Sequence, residues 1–273
     1  MNSILHTLLK VVPFSLRSKI KYIPLLKQLQ QYIVRRYLNG KSSTSTITAG
    51  PAKGLVFPFE FPQDKLIWTG TYELKFAQAL ASYIKPGYVC YDIGAYKGYY
   101  SGIMALKGAG EVFVFEPMPA NIRKIKNLIK LNPDLKITLK EIAVADYSGD
   151  VEFKLMPEET MGKLSKSTFQ AYEKEVEILK IPSYSIDDLI ENGLREPDFI
   201  KIDVEGAEEL VLEGAKNLLT RKKPILMIEV HSEEIGKRCN EMLKQIYSII
   251  YVLETGGLPE DSTLSICHYV ALA

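Results

Sequence analysis

Short apolar runs alternate with amphipathic segments over most of the chain, and this pattern predicts its secondary structure. A short apolar run between turn residues is typical of a buried strand, whereas apolar positions recurring every three or four residues are typical of a helix. We expect strands at 88–92, 111–116, 137–143, 199–203, 224–230, 249–254 and 264–271. Helices are expected at 72–84, 99–107, 120–131, 186–192, 207–219 and 233–247. This alternation predicts a mostly parallel sheet with helices on both faces.

Two parts of the pattern depart from simple alternation. The last two predicted strands have no helix between them, so we expect them to form an antiparallel hairpin at the edge of the sheet. Residues 151–155 and 176–181 are predicted to form a further pair of strands around a polar excursion at 156–175. The chain therefore contains more strands than the parallel sheet alone requires.

The first 60 residues form a basic segment with one clear helical pattern. A helix is predicted over 24–38, because apolar side chains recur there at helical spacing, Pro24 stands at its start and Asn39-Gly40 at its end. Residues 1–59 contain nine Lys or Arg, and no Asp or Glu occurs before Glu60. The rest of the chain has 25 basic and 33 acidic residues, a net charge of −8. A basic end on an acidic body suggests an interaction arm.

We consider three partners for this arm. An amphipathic helix with only basic charges favours peripheral contact with an anionic membrane surface through residues 1–40. The alternative is a helix docked on the rest of the protein, which the tyrosines on its apolar stripe favour. Nucleic acid is the weakest candidate, because no basic run is dense enough, and we expect no nucleic-acid partner.

Residues 41–67 carry mostly turn-forming and β-branched side chains. The Ser/Thr run at 42–46 predicts a linker, and Gly and Pro among Val and Phe at 47–67 predict short irregular strands. We therefore divide the chain into a basic helical extension over 1–40 and one α/β domain over 41–273.

Composition and cysteine content narrow the class of protein. The composition is that of a soluble globular protein, and no apolar run approaches the ~20 residues that a membrane span needs. Cys90, Cys239 and Cys267 have no paired spacing, so neither a disulfide framework nor a zinc site is expected, and Cys90 and Cys267 are predicted to be buried. We expect a cytoplasmic protein, with peripheral contact at the inner face of the membrane through its extension as one alternative.

A glycine-rich segment follows the first strand of the predicted parallel sheet. It has Asp92, Gly94 and Gly98, with Ala95 after the first glycine. Glycine lets a backbone approach a ligand or adopt positive φ. A dinucleotide-binding loop more often has glycine where this chain has Asp92, and a carboxylate is a poor neighbour for a pyrophosphate. The loop therefore favours a cofactor with an ammonium group, although a tight turn with an Asp cap remains the plain alternative.

Glu116 and Pro117 follow the second strand. An acidic residue about 20 positions beyond a glycine-rich loop suits a ribose, because one carboxylate can accept protons from both hydroxyl groups. In an open parallel sheet, ligands bind outside the carboxyl ends of the strands. We therefore expect the loop and Glu116 to form one pocket for a nucleoside cofactor.

Two further strand ends carry candidate catalytic residues. Lys201, Asp203 and Glu205 share one face if their strand extends that far, and a Lys in an apolar strand needs a partner. The structural alternative is an ion pair between Lys201 and Asp203 in which each residue only neutralises the charge of the other. Glu229 and His231 end the next strand, and His231 is a candidate general base. A divalent metal held by Asp203, Glu229 and His231 is the less favoured alternative.

These segments together resemble the FkbM-type S-adenosylmethionine-dependent methyltransferases. The motifs that carry the resemblance are Gly70-Thr71-Tyr72-Glu73, Asp92-Ile93-Gly94-Ala95-x-x-Gly98-Tyr99-Tyr100, Phe115-Glu116-Pro117, Ser185-Ile186-Asp187-Asp188-Leu189, Ile200-Lys201-Ile202-Asp203-Val204-Glu205-Gly206-Ala207-Glu208 and Glu229-Val230-His231. The family's loop more often has Asn where this chain has Tyr96-Lys97, a difference that we expect to change contacts near the methionine end. The resemblance does not cover residues 1–60.

The resemblance implies a Rossmann-like, class I methyltransferase sheet of seven strands and O-methylation of a hydroxyl on a glycan or a secondary metabolite. S-adenosyl-L-methionine is the implied cofactor. The implied cofactor residues are Asp92, Gly94, Ala95, Gly98, Glu116 and Pro117, and the implied catalytic residues are Lys201, Asp203, Glu205 and His231. We expect the excursion at 156–175 to contribute to the acceptor pocket.

Two other functions fit a similar sheet. A nicotinamide-dependent oxidoreductase is one, although Asp92 in place of the first glycine argues against it. The other is a module that binds the cofactor without catalysis. Binding of NADH instead of S-adenosylmethionine would favour the first, and cofactor binding without any methyl acceptor would favour the second.

Overall fold

The computed structural model describes most of the α/β domain and little of the extension. The described residues are 24, 28, 32, 40, 42–155, 162–164, 178–262, 264 and 266–273. The helix predicted over 24–38 lies mostly outside this part of the chain, and the three positions in it that are described are helical. One of them, Tyr32, is exposed. The division at residue 40 therefore stays a prediction.

From residue 42 onward, the described residues form thirteen strands and eight α-helices. The strands are β1 (Ser42–Thr46), β2 (Val56–Glu60), β3 (Val89–Ile93), β4 (Glu111–Phe115), β5 (Ile137–Lys140), β6 (Ala143–Val144), β7 (Gly149–Leu155), β8 (Gly162–Leu164), β9 (Ile178–Tyr184), β10 (Phe199–Ile202), β11 (Ile225–Val230), β12 (Ile249–Val252) and β13 (Cys267–Leu272). The helices are α1 (Lys65–Thr69), α2 (Leu74–Tyr83), α3 (Tyr99–Leu106), α4 (Pro119–Leu131), α5 (Ile186–Glu191), α6 (Glu208–Glu213), α7 (Lys216–Lys222) and α8 (Glu233–Lys244). None of these helices has the length and apolar character that a membrane crossing requires.

Seven strands form the central sheet, in the order β12-β13-β11-β10-β3-β4-β5. Neighbouring strands from β11 to β5 are parallel, and β13 runs antiparallel to both β11 and β12. The predicted mostly parallel sheet with an antiparallel edge hairpin is confirmed. The strand order reverses between β10 and β3, and ligands bind at such a switch point, outside the carboxyl ends of the strands.

Buried side chains pack on both faces of this sheet. Successive residues of a strand point to opposite faces. Accordingly, Cys90 and Val112 pack in one cluster with residues of β2, α2 and α3, whereas Tyr91 and Phe113 pack in another with residues of α6, α7 and α8. The predicted helices on both faces are therefore confirmed. All three cysteines are buried, as predicted for two of them.

A second sheet has the strand order β6-β9-β7-β8. Its β7 and β9 are antiparallel, which confirms the predicted pair on either side of the polar excursion. Within the excursion, the structure describes residues 162–164 as β8, which pairs with β7. The remainder of the excursion lies outside the described residues, and its part in an acceptor pocket stays a prediction.

The prediction of a linker at 42–46 is wrong. These residues form β1, which pairs antiparallel with β2 from Ser42 opposite Glu60 to Thr46 opposite Val56. The side chains of β1 alternate between exposed and half-buried, as expected for a strand with one face on the protein. Ser and Thr are common in loops, but Thr also suits a pleated strand, and the partner that decides between the two is ten or more residues away. The short helix α1 was also not predicted.

The single helix predicted over 207–219 is broken into α6 and α7. The break is at Gly214, where a Cβ atom would lie 2.0 Å from the carbonyl oxygen of Ala145. After the break, the Asp187 carboxylate accepts hydrogen bonds from the N–H groups of Asn217 and Leu218 at 2.9 Å. These bonds satisfy N–H groups in the first turn of α7, which have no partner within their own helix. An apolar periodicity that continues through residue 214 does not reveal this cap.

Candidate active site

A cavity of about 330 Å³ opens at the carboxyl ends of β3, β4, β10 and β11. It lies at the switch point of the sheet, where the strand-end argument places a ligand. Six predicted site residues line it, namely Gly94, Glu116, Pro117, Asp203, Glu205 and His231. Four do not, namely Asp92, Ala95, Gly98 and Lys201.

Gly94 is required because two strand ends touch at this position. Its φ is 74°, and a Cβ atom there would lie 1.7 Å from the carbonyl oxygen of Asp203. The Asp203 N–H donates to the carbonyl oxygen of Ile93 at 3.0 Å, which holds the end of β10 against the end of β3. The glycine-rich loop and the candidate catalytic residues after β10 are therefore one continuous wall of the cavity.

Glu116 is a buried carboxylate at the end of β4. It accepts hydrogen bonds from the N–H groups of Tyr96 at 2.8 Å and Met118 at 2.9 Å, and from the amide of Asn121 at 3.3 Å. Burial raises its pKa to about 7, although the hydrogen bonds from Met118 and Tyr96 oppose this rise. The carboxylate is thus fixed in orientation by the loop after β3 and by its own loop.

Asp92 and Lys201 form a buried ion pair beneath the cavity. The Lys201 Nζ donates to the carbonyl oxygen of Gly94 at 2.8 Å and lies 3.3 Å from Asp92 and 3.2 Å from Asp203. Burial disfavours the charged form of Lys201, but the carboxylates of Asp203 and Asp92 outweigh this and raise its pKa. The sequence argument assigned Asp92 to the ammonium group of a cofactor, whereas in this structure Asp92 pairs with Lys201 and does not line the cavity. Ser101 also donates to Asp92, at 2.5 Å.

Gly98 and Ala95 serve the packing of α3 and do not face the cavity. A Cβ atom on Gly98 would lie 2.8 Å from the side chain of Leu128 on α4, and the φ of Gly98 is 76°. Ala95 is buried among the residues that pack with α3. Ala95 and Gly98 thus shape the loop, and their direct contact with a cofactor stays a prediction.

The two residues that differ from the family's loop point in different directions. Lys97 is buried, with its Nζ 2.7 Å from Asp64 and 3.3 Å from Glu60. It therefore ties the loop to the segment around α1 and β2. Tyr96 has a φ of 55° and is 38% exposed, and it lines the cavity.

His231 stands in a ring of carboxylates. Its Nδ1 lies 2.6 Å from an oxygen of Glu208, a fully buried side chain. Its Nε2 lies 3.6 Å from both Asp203 and Glu205, and 4.0 Å from Glu229. The structure thus brings together the predicted residues of two strand ends, with Glu208 added.

This ring shifts the pKa values of His231, Asp203, Glu205 and Glu229. Burial alone would lower the pKa of His231, but the surrounding carboxylates, Glu208 first, raise it to about 9. Burial raises the pKa of both Asp203 and Glu205. Burial would also raise the pKa of Glu229, but the hydrogen bond and charge of His268 lower it below its ordinary value. The cluster therefore concentrates more negative charge than its histidine neutralises.

The sequence argument missed several residues of the site, including Tyr72, Glu73, Glu208 and His268. Tyr72 and Glu73 line the cavity, and Glu73 accepts a hydrogen bond from the hydroxyl of Tyr100. Glu208 holds His231, and His268 on β13 lies 3.5 Å from Glu229. Tyr72, Glu73 and Glu208 lie within the segments that resemble the FkbM family, so the sequence did contain a signal for these three residues. The sequence contains no such signal for His268, because this residue reaches the site only through the position of β13 beside β11.

A potential metal-ligating group is present at the same place. Among the described residues, Asp203, Glu205 and His231 offer ligand atoms that lie within 4.8 Å of one another. The sequence argument had Glu229 as the third member. In the structure, one Glu229 oxygen lies 4.0 Å from His231 and the other faces His268, so Glu205 replaces it.

The fold and the site define the class of protein. A seven-stranded sheet of this order, with a buried acid after the second strand and a cavity at the switch point, is the Rossmann-like sheet of the class I methyltransferases. The model of the methyltransferase FkbM domain matches residues 92–254. The chain belongs to this family and is a methyltransferase.

One similar protein has a name that states its substrate class. The chain is 28% identical over 158 residues to the hexuronic acid methyltransferase AglP of Haloferax volcanii, a match that covers 58% of this chain and 62% of AglP. The chain thus spans less than two thirds of that relative's length.

Solved structures with a similar fold are more distant. The methyltransferase FkbM of Methylobacillus flagellatus is 19% identical, with 76% of this chain and 55% of that chain covered and a TM-score of 0.45. The precorrin-6y C5,15-methyltransferase of Geobacter metallireducens is 15% identical, with 74% and 89% covered and a TM-score of 0.44.

Proposed function

We propose that this protein transfers a methyl group from S-adenosylmethionine to a hydroxyl group of a sugar. The observation that carries the proposal is Glu116, a buried carboxylate that lines the cavity and is held by N–H groups of Tyr96 and Met118. A carboxylate fixed in this way can accept hydrogen bonds from both hydroxyl groups of a ribose. The hexuronic acid substrate of the similar protein AglP supports a sugar as the acceptor.

The residues that line the cavity suit S-adenosylmethionine. Beyond Glu116, the wall is formed by apolar side chains that suit the flat face of a purine, among them Phe115, Met118, Ile142 and Val144. The volume lies within the range of small-molecule sites, ~300–1,000 Å³. S-adenosylmethionine supplies a methyl group that its sulfonium already activates, so the protein has to position the acceptor and remove one proton.

The chain's own residues divide into two ends of the cavity. Glu116, Pro117 and Gly94 hold the nucleoside end, while Asp203, Glu205 and His231 orient the acceptor hydroxyl at the other end, where it loses its proton. Lys201 positions Asp203 and the Gly94 carbonyl from below. Alignment of the two reactants can contribute roughly 7–11 kcal/mol to lowering the barrier at best.

The decisive experiment follows a labelled methyl group. The full chain is incubated with S-adenosylmethionine labelled in its methyl group and with cell extract separated into glycan, lipid, small-molecule, protein and nucleic-acid pools. We expect label in the glycan pool. Glu116→Ala should abolish the transfer, whereas Glu111→Ala, at the opposite end of β4, should retain it.

Two results would replace the proposal. Binding of NADH instead of S-adenosylmethionine in a direct titration would favour an oxidoreductase. Binding of S-adenosylmethionine without label in any pool would favour a module that binds the cofactor only. Label in the lipid, protein, nucleic-acid or small-molecule pool would keep the methyltransferase and change its acceptor.

A further inference from the structure

The side chains at the acceptor end of the cavity converge as metal ligands do. One ligand atom each from Asp203, Glu205 and His231 lies within 4.8 Å of the others, and all three side chains line the cavity. Carboxylate oxygens and an imidazole nitrogen are ligands for Mg²⁺-like and Mn²⁺-like cations. We propose that these three residues bind a divalent cation, which holds the acceptor; its role in the reaction rests on the proposed function.

A supporting shell stands behind two of the three ligands. The Nδ1 of His231 lies 2.6 Å from Glu208, so its Nε2 faces Asp203 and Glu205. Metal-ligating histidines almost always donate their other ring N–H to such a partner, which fixes the tautomer. The second oxygen of Asp203 lies 3.2 Å from Lys201, which leaves Oδ1 toward His231.

Glu205 reaches the cluster through an unusual backbone conformation. Its φ is 53°, in the left-handed region that a residue with a side chain rarely adopts. Gly206 follows with a φ of 95°, and its N–H donates to Glu208 at 3.0 Å. This turn places the Glu205 and Glu208 carboxylates on either side of the His231 ring. Strained backbone of this kind clusters at ligand sites.

The charge around the cluster favours a cation. A continuous network of ion pairs and hydrogen bonds contains three basic side chains, Lys201, His231 and His268. The acids of the same network are Asp92, Asp203, Glu205, Glu208, Glu229 and Glu254. Among the residues that the structure describes, carboxylate side chains in this network therefore outnumber basic side chains by three. Asp203 and Glu205 are 25% and 35% exposed, so a divalent ion that enters the cavity can reach both carboxylates.

The cation would also explain how such an acidic cavity accepts an anionic sugar. A sugar hydroxyl and a neighbouring carboxylate can both bind one divalent ion, which lowers the pKa of the hydroxyl. In the transfer, the acceptor oxygen forms a bond to the methyl carbon as the carbon–sulfur bond breaks and sulfur keeps the electron pair. The hydroxyl proton passes to Glu229, which lies beside the three ligands.

The experiment titrates Mn²⁺ into the metal-free full chain, without cofactor or acceptor, and follows free Mn²⁺ by electron paramagnetic resonance. We expect one site per chain. Glu205→Gln, whose side chain is 35% exposed, should weaken binding at least tenfold and leave the fold intact. Glu208→Gln should weaken it about 10–100-fold through the loss of the support for His231. Glu213→Gln, an exposed position on α6, is the matched control and should bind like the wild type.

Two results would overturn the cation site. One is no saturable Mn²⁺ binding by the wild type, and the other is equal binding by the wild type and Glu205→Gln. Both are independent of methyl transfer and of S-adenosylmethionine binding, which Glu116→Ala tests, so the two proposals can fail separately. If Mn²⁺ binds at this site but methyl transfer persists in excess chelator, the role of the cation in the reaction is wrong.

Discussion

Lys201 is a fully buried cation whose charge is needed by two acids. Its partners are Asp92, which is also fully buried, and Asp203, and it donates to the Gly94 carbonyl as well. A buried ion pair is weak evidence for net stabilisation, but the removal of one partner leaves an uncompensated charge. The position of Lys201 beneath the cavity therefore makes it a support for both the glycine-rich loop and the acceptor end.

We predict that Lys201→Met destabilises the protein by about 3–5 kcal/mol, because Asp92 is left buried without its cation. The measurement is the free energy of unfolding in urea. Lys107→Met, an exposed lysine after α3, should change it by less than ~0.5 kcal/mol. Equal small effects of the two changes would show that Asp92 does not depend on Lys201.

We predict that Gly94→Ala costs roughly 2–5 kcal/mol, since it combines a left-handed backbone with a methyl group 1.7 Å from the Asp203 carbonyl oxygen. Gly54→Ala is the control, because Gly54 has a φ of 103° but no atom within 4 Å of its Cβ position. It should show only the backbone part, about 1–2 kcal/mol. The measurement is the free energy of unfolding in urea. The loss in Gly54→Ala gives the backbone strain, and the additional loss in Gly94→Ala gives the steric clash.

Cofactor affinity should depend on pH through Glu116, whose pKa is raised to about 7 by burial. A ribose donates to the charged form, so affinity should rise about tenfold per pH unit up to pH ~7 and then level off. Isothermal titration with S-adenosylmethionine between pH ~5.5 and ~8 measures this, and Glu116→Gln should bind weakly without that slope. A flat profile for the wild type would contradict the ribose assignment.

The same raised pKa has an effect on stability of known sign. Between the ordinary value of 4.5 and about 7, the folded protein holds the Glu116 proton that the unfolded chain has lost. The contribution of Glu116 to the free energy of unfolding therefore falls as pH rises through this window and is constant above it.

At the scale of elements, the motif around α5 has a structural explanation. The Ser185 hydroxyl caps the N-terminus of α5 by accepting from the Asp188 N–H at 3.0 Å. Asp187 instead reaches the first turn of α7, and its own N–H donates to the Gly214 carbonyl at the break. A motif that the sequence ties only to family resemblance thus joins two helices that pack against the same face of the sheet.

We predict that Asp187→Ala destabilises the protein by about 0.5–2 kcal/mol, the usual cost of losing a helix cap. Thermal unfolding of this variant and of Glu191→Ala, an exposed acid on the same helix, provides the comparison. The cap assignment would be wrong if the two variants unfolded alike.

Elements with a local signal were predicted well, and those that depend on distant partners were not. The apolar runs of β3, β4, β10 and β11 define the sheet and its four strand ends, and these carry the cavity. The strand at Ser42–Thr46 was missed because its partner is β2, and the break at Gly214 because its cause is the Ala145 carbonyl. His268 joins the site only through the order of the strands.

At the scale of the whole molecule, the family match at 92–254 is shorter than the folded unit. Phe57 and Phe59 of β2 are fully buried against the central sheet's helices, Asp64 holds Lys97, and Tyr72 lines the cavity. The segment from β1 to α2 therefore packs as part of the same folded unit as the central sheet, and the boundary at residue 40 stays a prediction.

We predict that deletion of residues 1–40 leaves a folded protein that binds S-adenosylmethionine, whereas deletion of residues 1–87 does not. The second deletion removes Phe57 and Phe59, each worth about 3–5 kcal/mol as a buried aromatic side chain. Circular dichroism melts and cofactor titration measure both. The shorter deletion also tests the membrane hypothesis, which fails if sedimentation with anionic vesicles does not change.

The position of β13 has a consequence for synthesis. It is the last strand of the sheet to leave the ribosome, yet it lies between β11 and β12, and it supplies the histidine beside Glu229. A nascent chain that ends before residue 267 would present the open edges of both neighbours, and open edges recruit other strands. A chain that terminates before residue 267 would therefore lack the histidine beside Glu229 and be prone to aggregate.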